Sequence, residues 1–197
     1  GATRAGDVPE MAANVDRVIA ISKATRDSMP EALQARTVVV PNTTPDPFDV
    51  PGFVELPALA KEPLNFLAAG RWTANKGFDV LIEAWGPAAP GQLAIVGGPP
   101  PSGEALDLPA LVSASSAAES IELISEVDSI VPLIAAAHVV VMPSTWDEPF
   151  GLVALEGLAA GRPVIASRVG GLAQFISDEV GWLVEGGDPL ALAQALS

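Results

Sequence analysis

The chain has 197 residues, 49% of them hydrophobic, which is enough apolar material for one domain, or for one domain and part of a second. A formal net charge of −14 argues against nucleic acid or an anionic membrane surface as a partner. The absence of cysteine excludes disulfides and thiolate metal sites, and a single histidine excludes a histidine metal cluster within the chain.

No stretch of the chain resembles an export signal or a membrane span. The first residues, GATRAGDVPE, lack the apolar core of a signal peptide, and the longest apolar run, LIAAAHVVVM, is too short to cross a bilayer. We therefore expect a cytoplasmic location. The chain begins without methionine and stops at ALAQALS inside a helical pattern, so we interpret it as a piece of a longer protein.

The first part of the chain contains two short apolar runs and a proline-rich stretch. DRVIAIS (16–22) and TVVVPN (37–42) predict strands, and KATRDSMPEALQA (23–35) between them predicts a helix. Five prolines between residues 44 and 63 indicate a connector.

From residue 64 onward, short apolar runs alternate with helical patterns. The predicted strands are LNFLAAG (64–70), QLAIVGG (92–98), HVVVMPS (138–144), PVIAS (163–167) and GWLVE (181–185). The predicted helices are KGFDVLIEAW (76–85), DSIVPLIAAA (128–137), GLVALEGLAA (151–160) and one that opens at GGLAQFI (170–176). Continuous apolar strands that alternate with helices are typical of an α/β fold with a Rossmann-like, doubly wound parallel sheet.

Polar residues and glycines follow several of these predicted strands. They are Arg71, Lys76, Asp147, Glu148, Arg168, Gly170 and Gly171. In doubly wound sheets the ligand lies outside the carboxyl ends of the strands, so we expect the site at this edge.

The basic residues are distributed unevenly along the chain. None of the ten lies between Lys76 and Arg162, a stretch that contains eleven acidic residues. Arg71 and Lys76 are therefore a local positive feature on an acidic protein. One interpretation is an anion clamp, since arginine gives bidentate contacts and lysine a point charge. The other is an ordinary pair of surface charges at the start of a helix.

The stretch EPFGLVALE (148–156) places two glutamates on either side of a turn and a predicted helix start. Free N–H groups near Leu152 and Val153 would favour a phosphate, and glycine at Gly151 would allow a ligand to approach the backbone. Carboxylates at Glu148 and Glu156 would suit a hydroxylated ring on each side of the phosphates, as in a nucleotide sugar. The alternative is a helix N-terminal charge and a solvated helix face.

Three segments carry a family resemblance. Together GRWTANKG, VVVMPSTWDEPFGLVALEGLAAGRPVIAS and VGGLAQFI resemble the nucleotide-sugar half of retaining glycosyltransferases of the GT-B fold, glycosyltransferase family 4 (group 1). The resemblance covers roughly residues 15 to 197. It implies a remnant of the N-terminal, acceptor domain at 1–40, a proline-rich connector at 41–63, and a nucleotide-sugar-binding domain at 64–197, truncated at its C-terminus.

The resemblance implies a catalytic set of Arg71, Lys76 and Glu148. The two basic residues would neutralise the donor diphosphate as the glycosidic bond breaks, and Glu148 would contact the donor sugar near the reacting carbon. Members of the family typically need no metal, so no cofactor is expected, and no cation cage is evident in the sequence.

The resemblance also implies a nucleotide-binding set, composed of Gly70, Val127, Gly151, Leu152, Val153 and Glu156. Backbone N–H groups at the helix start would hold the phosphates and sugar, and Glu156 would bind the ribose hydroxyls. The base would lie against the loop from Ile124 to Val127.

Four positions depart from the family pattern. Thr43 and Ser125 stand where glycine is usual, Ala137-His138 stands where Ala-Asp is usual, and Gln174 stands where glutamate is common. Ser125 leaves the base contact open. The resemblance implies a UDP-sugar as the donor, because UDP is the commonest donor nucleotide in the family, and GDP- or ADP-sugars are alternatives.

The expected function is that of a hexosyltransferase-type glycosyltransferase fragment. The full-length enzyme would transfer a sugar with retention to a hydroxyl acceptor (a glycan, lipid or small molecule) bound by the N-terminal domain, through which it could also associate with a membrane. The isolated chain would bind a nucleotide without transferring sugar. Alternatives are a glycogen- or starch-synthase-like enzyme, a GT-B-fold epimerase, and a degenerate binding module without catalysis.

Four other residues receive structural interpretations. His138 precedes an apolar run, which predicts a buried residue at a strand start. Ser144 has no histidine partner, which argues against a hydrolase triad. Packing roles are predicted for Trp72 and Trp146, with the cleft as the alternative.

Overall fold

The computed structural model of the chain describes residues 14–45, 63–87 and 89–197, so most of the predicted connector lies outside the described residues. Its strands are β1 (Val18–Ala20), β2 (Thr37–Val39), β3 (Leu64–Ala69), β4 (Gly91–Val96), β5 (Ile121–Ile124), β6 (Val139–Met142), β7 (Val164–Ser167) and β8 (Gly181–Val184). Its α-helices are α1 (Lys23–Asp27), α2 (Glu31–Gln34), α3 (Phe78–Ala84), α4 (Leu108–Ala114), α5 (Val131–Ala136), α6 (Leu152–Ala159) and α7 (Pro189–Leu196). Short 3₁₀ turns lie at Ala74–Lys76, Ala118–Ser120 and Leu172–Gln174. None of the described helices is both long and apolar enough to cross a bilayer.

The strands from β3 onward form a six-stranded sheet in the order β5-β4-β3-β6-β7-β8. Every neighbouring pair in this sheet is parallel. The predicted α/β fold with a parallel sheet is therefore confirmed. Strands β1 and β2 pair in parallel as a separate, two-stranded sheet. We call residues 14–45 the N-terminal unit and the described residues from 63 onward the six-stranded unit.

Helices cover both faces of the six-stranded sheet. On one face α3 and α7 pack together, and their buried residues join a core that includes Phe66, Trp85 and Leu192. On the other face α6 packs over β6 and β7 through Ala154, while α5 packs over β3 through Ile134. Burial on both faces explains why these strands are continuous apolar runs rather than alternating ones.

A fully buried arginine closes the end of α5. Arg162 is 0% exposed, and its guanidinium donates from Nε to the Ile134 carbonyl at 3.1 Å and from Nη2 to the Ala135 carbonyl at 2.7 Å. Those carbonyls belong to the last turn of the helix, where a cation is favourable. Arg162 therefore connects the segment before β7 to α5.

Two of the predicted helices are wrong. The segment 23–35 forms two short helices rather than one, because Pro30 has no N–H and disfavours helical geometry at the preceding residue. The helix predicted to open at 170–176 is only the 3₁₀ turn Leu172–Gln174. In that segment the Gly171 N–H donates to the Glu148 carbonyl at 2.6 Å, so this N–H forms a tertiary contact instead of a helical hydrogen bond.

Candidate functional site

The strand order creates a crevice between β3 and β6. These strands are neighbours, but the chain leaves β3 toward β4 on one side and leaves β6 toward β7 on the other. Ligands of doubly wound sheets bind at such a switch point, outside the carboxyl ends of the strands. A cavity of about 350 Å³ lies here, and its walls include Ile21 and Asn42 of the N-terminal unit.

This cavity brings together most of the predicted site residues. Its lining includes Gly70, Arg71, Lys76, Glu148, Gly151, Leu152 and Val153. Glu156 and Val127 are not part of that lining: Glu156 is half-buried inside α6, and Val127 is 42% exposed after β5. Burial raises the pKa of the Glu156 carboxyl above its ordinary value.

An ion pair joins the two sides of the crevice. Lys76 Nζ lies 2.6 Å from Glu148 Oε2, and Glu148 is only 8% exposed. The Ser144 hydroxyl donates to the same oxygen at 3.3 Å. From the sequence, Lys76 and Glu148 were predicted to contact different parts of a ligand, and neither their pairing nor the contact with Ser144 was predicted. The pairing depends on the adjacency of β3 and β6 in the sheet, which no local sequence pattern indicates.

The helix α6 begins at the cavity with an uncapped N-terminus. Gly151 precedes it with φ +94°, and no side chain in the described part of the chain caps the helix. The first intrahelical bond runs from the Leu155 N–H to the Gly151 carbonyl, so the N–H groups of Leu152 and Val153 precede the helical ladder. Free amides and the helix dipole at such an end favour an anion.

The packing around Gly151 gives a further reason for glycine at this position. A Cβ at this position would lie 2.3 Å from Leu172 Cδ2, and its φ is left-handed. The absence of a side chain at this position therefore also allows the close approach of Leu172.

The loop after β7 supports the backbone of Glu148. The Gly171 N–H donates to the Glu148 carbonyl at 2.6 Å, and a Cβ on Gly170 would lie 2.3 Å from that carbonyl oxygen. Beside this contact Phe150 stacks on Phe175 with ring centroids 5.2 Å apart. The two glycines therefore position the Glu148 loop, a role that sequence analysis did not assign to them.

The N-terminal unit contacts the same loop. The Lys23 N–H, at the start of α1, donates to Gln174 Oε1 at 2.9 Å. The Thr25 hydroxyl donates to the Pro149 carbonyl at 3.4 Å. Gln174, a departure from the family pattern, thus bridges the two units.

The remaining candidates have mixed outcomes. His138 is buried at the start of β6 and accepts a hydrogen bond at Nδ1 from the Asn65 N–H at 2.8 Å, which confirms its structural interpretation. Trp72 packs against the main core as predicted. The packing role predicted for Trp146 is wrong, because this residue is 44% exposed. Among the described residues, no three acidic or histidine side chains group closely enough to hold a metal ion.

Sequence relatives identify a family of enzymes. The chain is 35% identical to a D-inositol 3-phosphate glycosyltransferase of Streptomyces avermitilis, over 97% of this chain and 48% of that protein. It is 39% identical to the protein of the same name from Salinispora arenicola, over 65% of this chain and 31% of that protein. The chain thus spans half or less of the length of these relatives.

Solved structures share the fold. A sucrose-phosphate synthase from Thermosynechococcus elongatus superposes with a TM-score of 0.79 at 30% identity, over 98% of this chain and 51% of that one. Anabaena HepE, solved in complex with UDP-glucose, superposes with a TM-score of 0.76 at 22% identity, over 96% of this chain and 55% of that one. The expected resemblance to GT-B glycosyltransferase structures is therefore confirmed.

The sequence profile of one family covers most of the chain. It is described as glycosyl transferases group 1, and it matches residues 63–197, which contain the six-stranded sheet, the basic pair and the helix α6. The chain therefore belongs to the glycosyl transferases group 1 family.

Proposed function

We propose that the chain is the nucleotide-sugar-binding part of a retaining glycosyltransferase of family 4. The longer protein transfers a hexosyl group from a UDP-sugar to a hydroxyl acceptor, with retention of configuration. The observation that carries this proposal is the uncapped N-terminus of α6, which shares one cavity with Lys76 and Glu148. Helix amides and a lysine favour phosphate, and a carboxylate beside them favours a hydroxylated ring.

The diphosphate of the donor occupies the end of the cavity formed by Arg71, Lys76 and the first amides of α6. Negative charge grows on the diphosphate as the glycosidic bond breaks, and fixed positive groups stabilise that charge without reorganisation. The exposed guanidinium of Arg71 and the half-buried ammonium of Lys76 supply this fixed positive charge, and no metal cofactor is needed.

Two carboxylates bind the hydroxylated rings on either side. Glu148, on the cavity wall, accepts hydrogen bonds from the donor sugar, and Glu156, further along α6, accepts them from the ribose. The base lies against residues 124–127 after β5, with Val127 and the backbone of Gly70 as contacts.

Relatives support the choice of donor and the class of acceptor. Anabaena HepE was solved with UDP and with UDP-glucose, which supports a UDP-sugar over the GDP- and ADP-sugar alternatives. The curated relatives are named for a D-inositol 3-phosphate acceptor, a hydroxylated ring. The acceptor site belongs to the part of the longer protein that precedes residue 41. In this division residues 1–40 are the end of the acceptor domain, 41–63 the connector and 64–197 the donor domain.

Calorimetric titration of the 197-residue chain with UDP, GDP and ADP tests the proposal. We expect UDP to bind and Lys76→Ala and Glu156→Ala each to weaken it, by about tenfold or more for the loss of a charged hydrogen-bond partner. The matched controls are Arg17→Ala and Glu83→Ala, which remove exposed charges elsewhere. A wild-type chain that binds none of the three nucleotides, or that loses affinity equally in the controls, contradicts the proposal.

A further inference from the structure

One oxygen of Glu148 receives two donors of different mobility. Lys76 Nζ lies 2.6 Å from Oε2, and Ser144 Oγ lies 3.3 Å from it. Lys76 ends a 3₁₀ turn and has a flexible stem. Ser144 is 1% exposed and follows β6 by two residues, so the sheet fixes its position.

A bound diphosphate competes for the mobile donor. It carries more negative charge than one carboxylate, and it would lie at the start of α6, which lines the same cavity as Lys76. As Lys76 turns toward the phosphates, the buried carboxylate of Glu148 loses its cationic partner, which is costly unless another donor remains. Ser144 is the donor that remains on this oxygen.

The length of the Ser144–Glu148 contact fits a change of donor from Lys76 to Ser144. At 3.3 Å it exceeds the usual range of about 2.5–3.0 Å for a hydroxyl that donates to an oxygen acceptor, while Lys76 holds the same oxygen at 2.6 Å. Once the lysine has left, the hydroxyl is free to shorten its bond to an ionised acceptor.

We propose that Ser144 is a positioning residue, which holds the Glu148 carboxylate toward the donor sugar after Lys76 has moved to the diphosphate. The inference rests on the proposed function of the cavity. With UDP alone, water can solvate Glu148, so the serine contributes little. With the sugar in place that water is displaced, and the serine hydroxyl determines where the carboxylate points.

The test compares UDP with UDP-sugars on the 197-residue chain. Calorimetry gives the ratio of the dissociation constant of a UDP-sugar to that of UDP, with UDP-glucose, UDP-galactose and UDP-N-acetylglucosamine as probes and the tightest used throughout. We expect Ser144→Ala to raise this ratio about tenfold, the value of one charge-assisted hydrogen bond, and to leave the affinity for UDP within about twofold. Ser144→Cys keeps the volume but donates weakly, so it gives an intermediate ratio.

A double-mutant cycle separates positioning from a merely structural role. On a Glu148→Gln background, Ser144→Ala should leave the ratio unchanged, because the serine acts through the carboxylate. Ser167→Ala is the matched control, since it removes a hydroxyl of similar burial (2% exposed) at the end of the neighbouring strand β7.

Three results would overturn the proposal: an unchanged ratio in Ser144→Ala and Ser144→Cys, an equal loss of UDP and UDP-sugar affinity, or binding of UDP by the wild type without measurable binding of any of the three sugars. In each of these cases UDP binding by the wild type still supports the proposed nucleotide site. Absence of UDP binding by the wild type would instead contradict the proposed function, and this inference with it.

Discussion

At the scale of single residues, the Lys76–Glu148 ion pair predicts an unusual response to substitution. Glu148→Gln should raise the affinity for UDP, because it releases Lys76 to the phosphates and removes a negative charge from their surroundings. In the wild type, UDP binding must break this partly buried ion pair, whose atoms lie 2.6 Å apart. The variant has no such pair to break, so we expect its affinity for UDP to rise about three- to tenfold. Titration calorimetry with UDP measures the change.

The neighbouring carboxylate provides the control for that change. Asp147→Asn removes an equal charge one residue away, from an exposed side chain. A similar gain in UDP affinity in both variants would mean that UDP binding depends only on the net negative charge near the site. No gain in UDP affinity in Glu148→Gln would mean that the ion pair with Glu148 does not compete with UDP for Lys76.

The raised pKa of Glu156 predicts a pH-dependent penalty on folding. Its ordinary pKa is 4.5, and burial raises it in the folded chain. Between the two values the folded chain binds more protons than the unfolded chain, so the free energy of unfolding falls as pH rises through that window. Glu156→Gln should therefore raise the Tm at neutral pH and have little effect at about pH 4 or below, where the carboxyl is largely protonated in both states.

Thermal unfolding across this pH range, with exposed Glu83→Gln as control, checks that expectation. The same variant should bind UDP more weakly, because a neutral amide replaces a carboxylate at the ribose. A residue that lowers stability while it serves binding is expected at a functional site. A Tm gain of equal size at all pH values would contradict the assignment of the penalty to the ionised carboxylate.

At the scale of helices and strands, the sequence predicts what local chemistry decides. The strands β3, β6 and β7 were predictable because both faces are buried, which leaves uninterrupted apolar runs. The placement of Lys76 and Glu148 at one edge of the sheet was predictable from motif spacing and from the rule on strand ends. Their ion pair was not, because it joins residues 72 positions apart and depends on the order of strands in the sheet. The helix predicted to open at 170–176 is wrong for a related reason, because the backbone of this segment hydrogen-bonds to the Glu148 loop.

The contact between the loop after β7 and the Glu148 loop leads to a prediction for Gly170. Gly170→Ala places a Cβ about where the Glu148 carbonyl lies, at 2.3 Å from its oxygen, and also strains a left-handed φ of +50°. We expect a loss of about 1–2 kcal/mol from backbone strain alone, more from the clash, and weaker binding of UDP-sugar because the Glu148 loop must shift. Urea unfolding and titration calorimetry measure the two effects.

A second glycine provides a control that distinguishes backbone strain from the steric clash with the Glu148 carbonyl. Gly187 has φ +76° and nothing within 4 Å of a Cβ, so Gly187→Ala reports strain alone. Equal loss of stability in the two alanine variants, with UDP-sugar binding intact in both, would mean that the loop tolerates the added methyl and does not position Glu148.

At the scale of the whole molecule, the cavity depends on contact between two sheets. Ile21 and Asn42, which follow β1 and β2, form part of its wall, while the remaining lining residues come from the six-stranded unit. The bond from the Lys23 N–H to Gln174 Oε1 holds these units together beside the Glu148 loop. Because this bond ends on the free amide of a helix N-terminus, the charge of the acceptor should change its strength.

This dependence predicts opposite effects for two substitutions at one position. Gln174→Ala removes the acceptor, and amide hydrogen exchange at Lys23 should accelerate about fivefold, for a bond worth roughly 1 kcal/mol. Gln174→Glu places a carboxylate at the helix N-terminus, so exchange at the same amide should slow. Gln194→Ala, an exposed glutamine of α7, should change neither. If exchange at Lys23 is the same in all three variants, the two units are not joined through Gln174, and the wall contributed by Ile21 and Asn42 must be held by other contacts, such as that between Thr25 and Pro149.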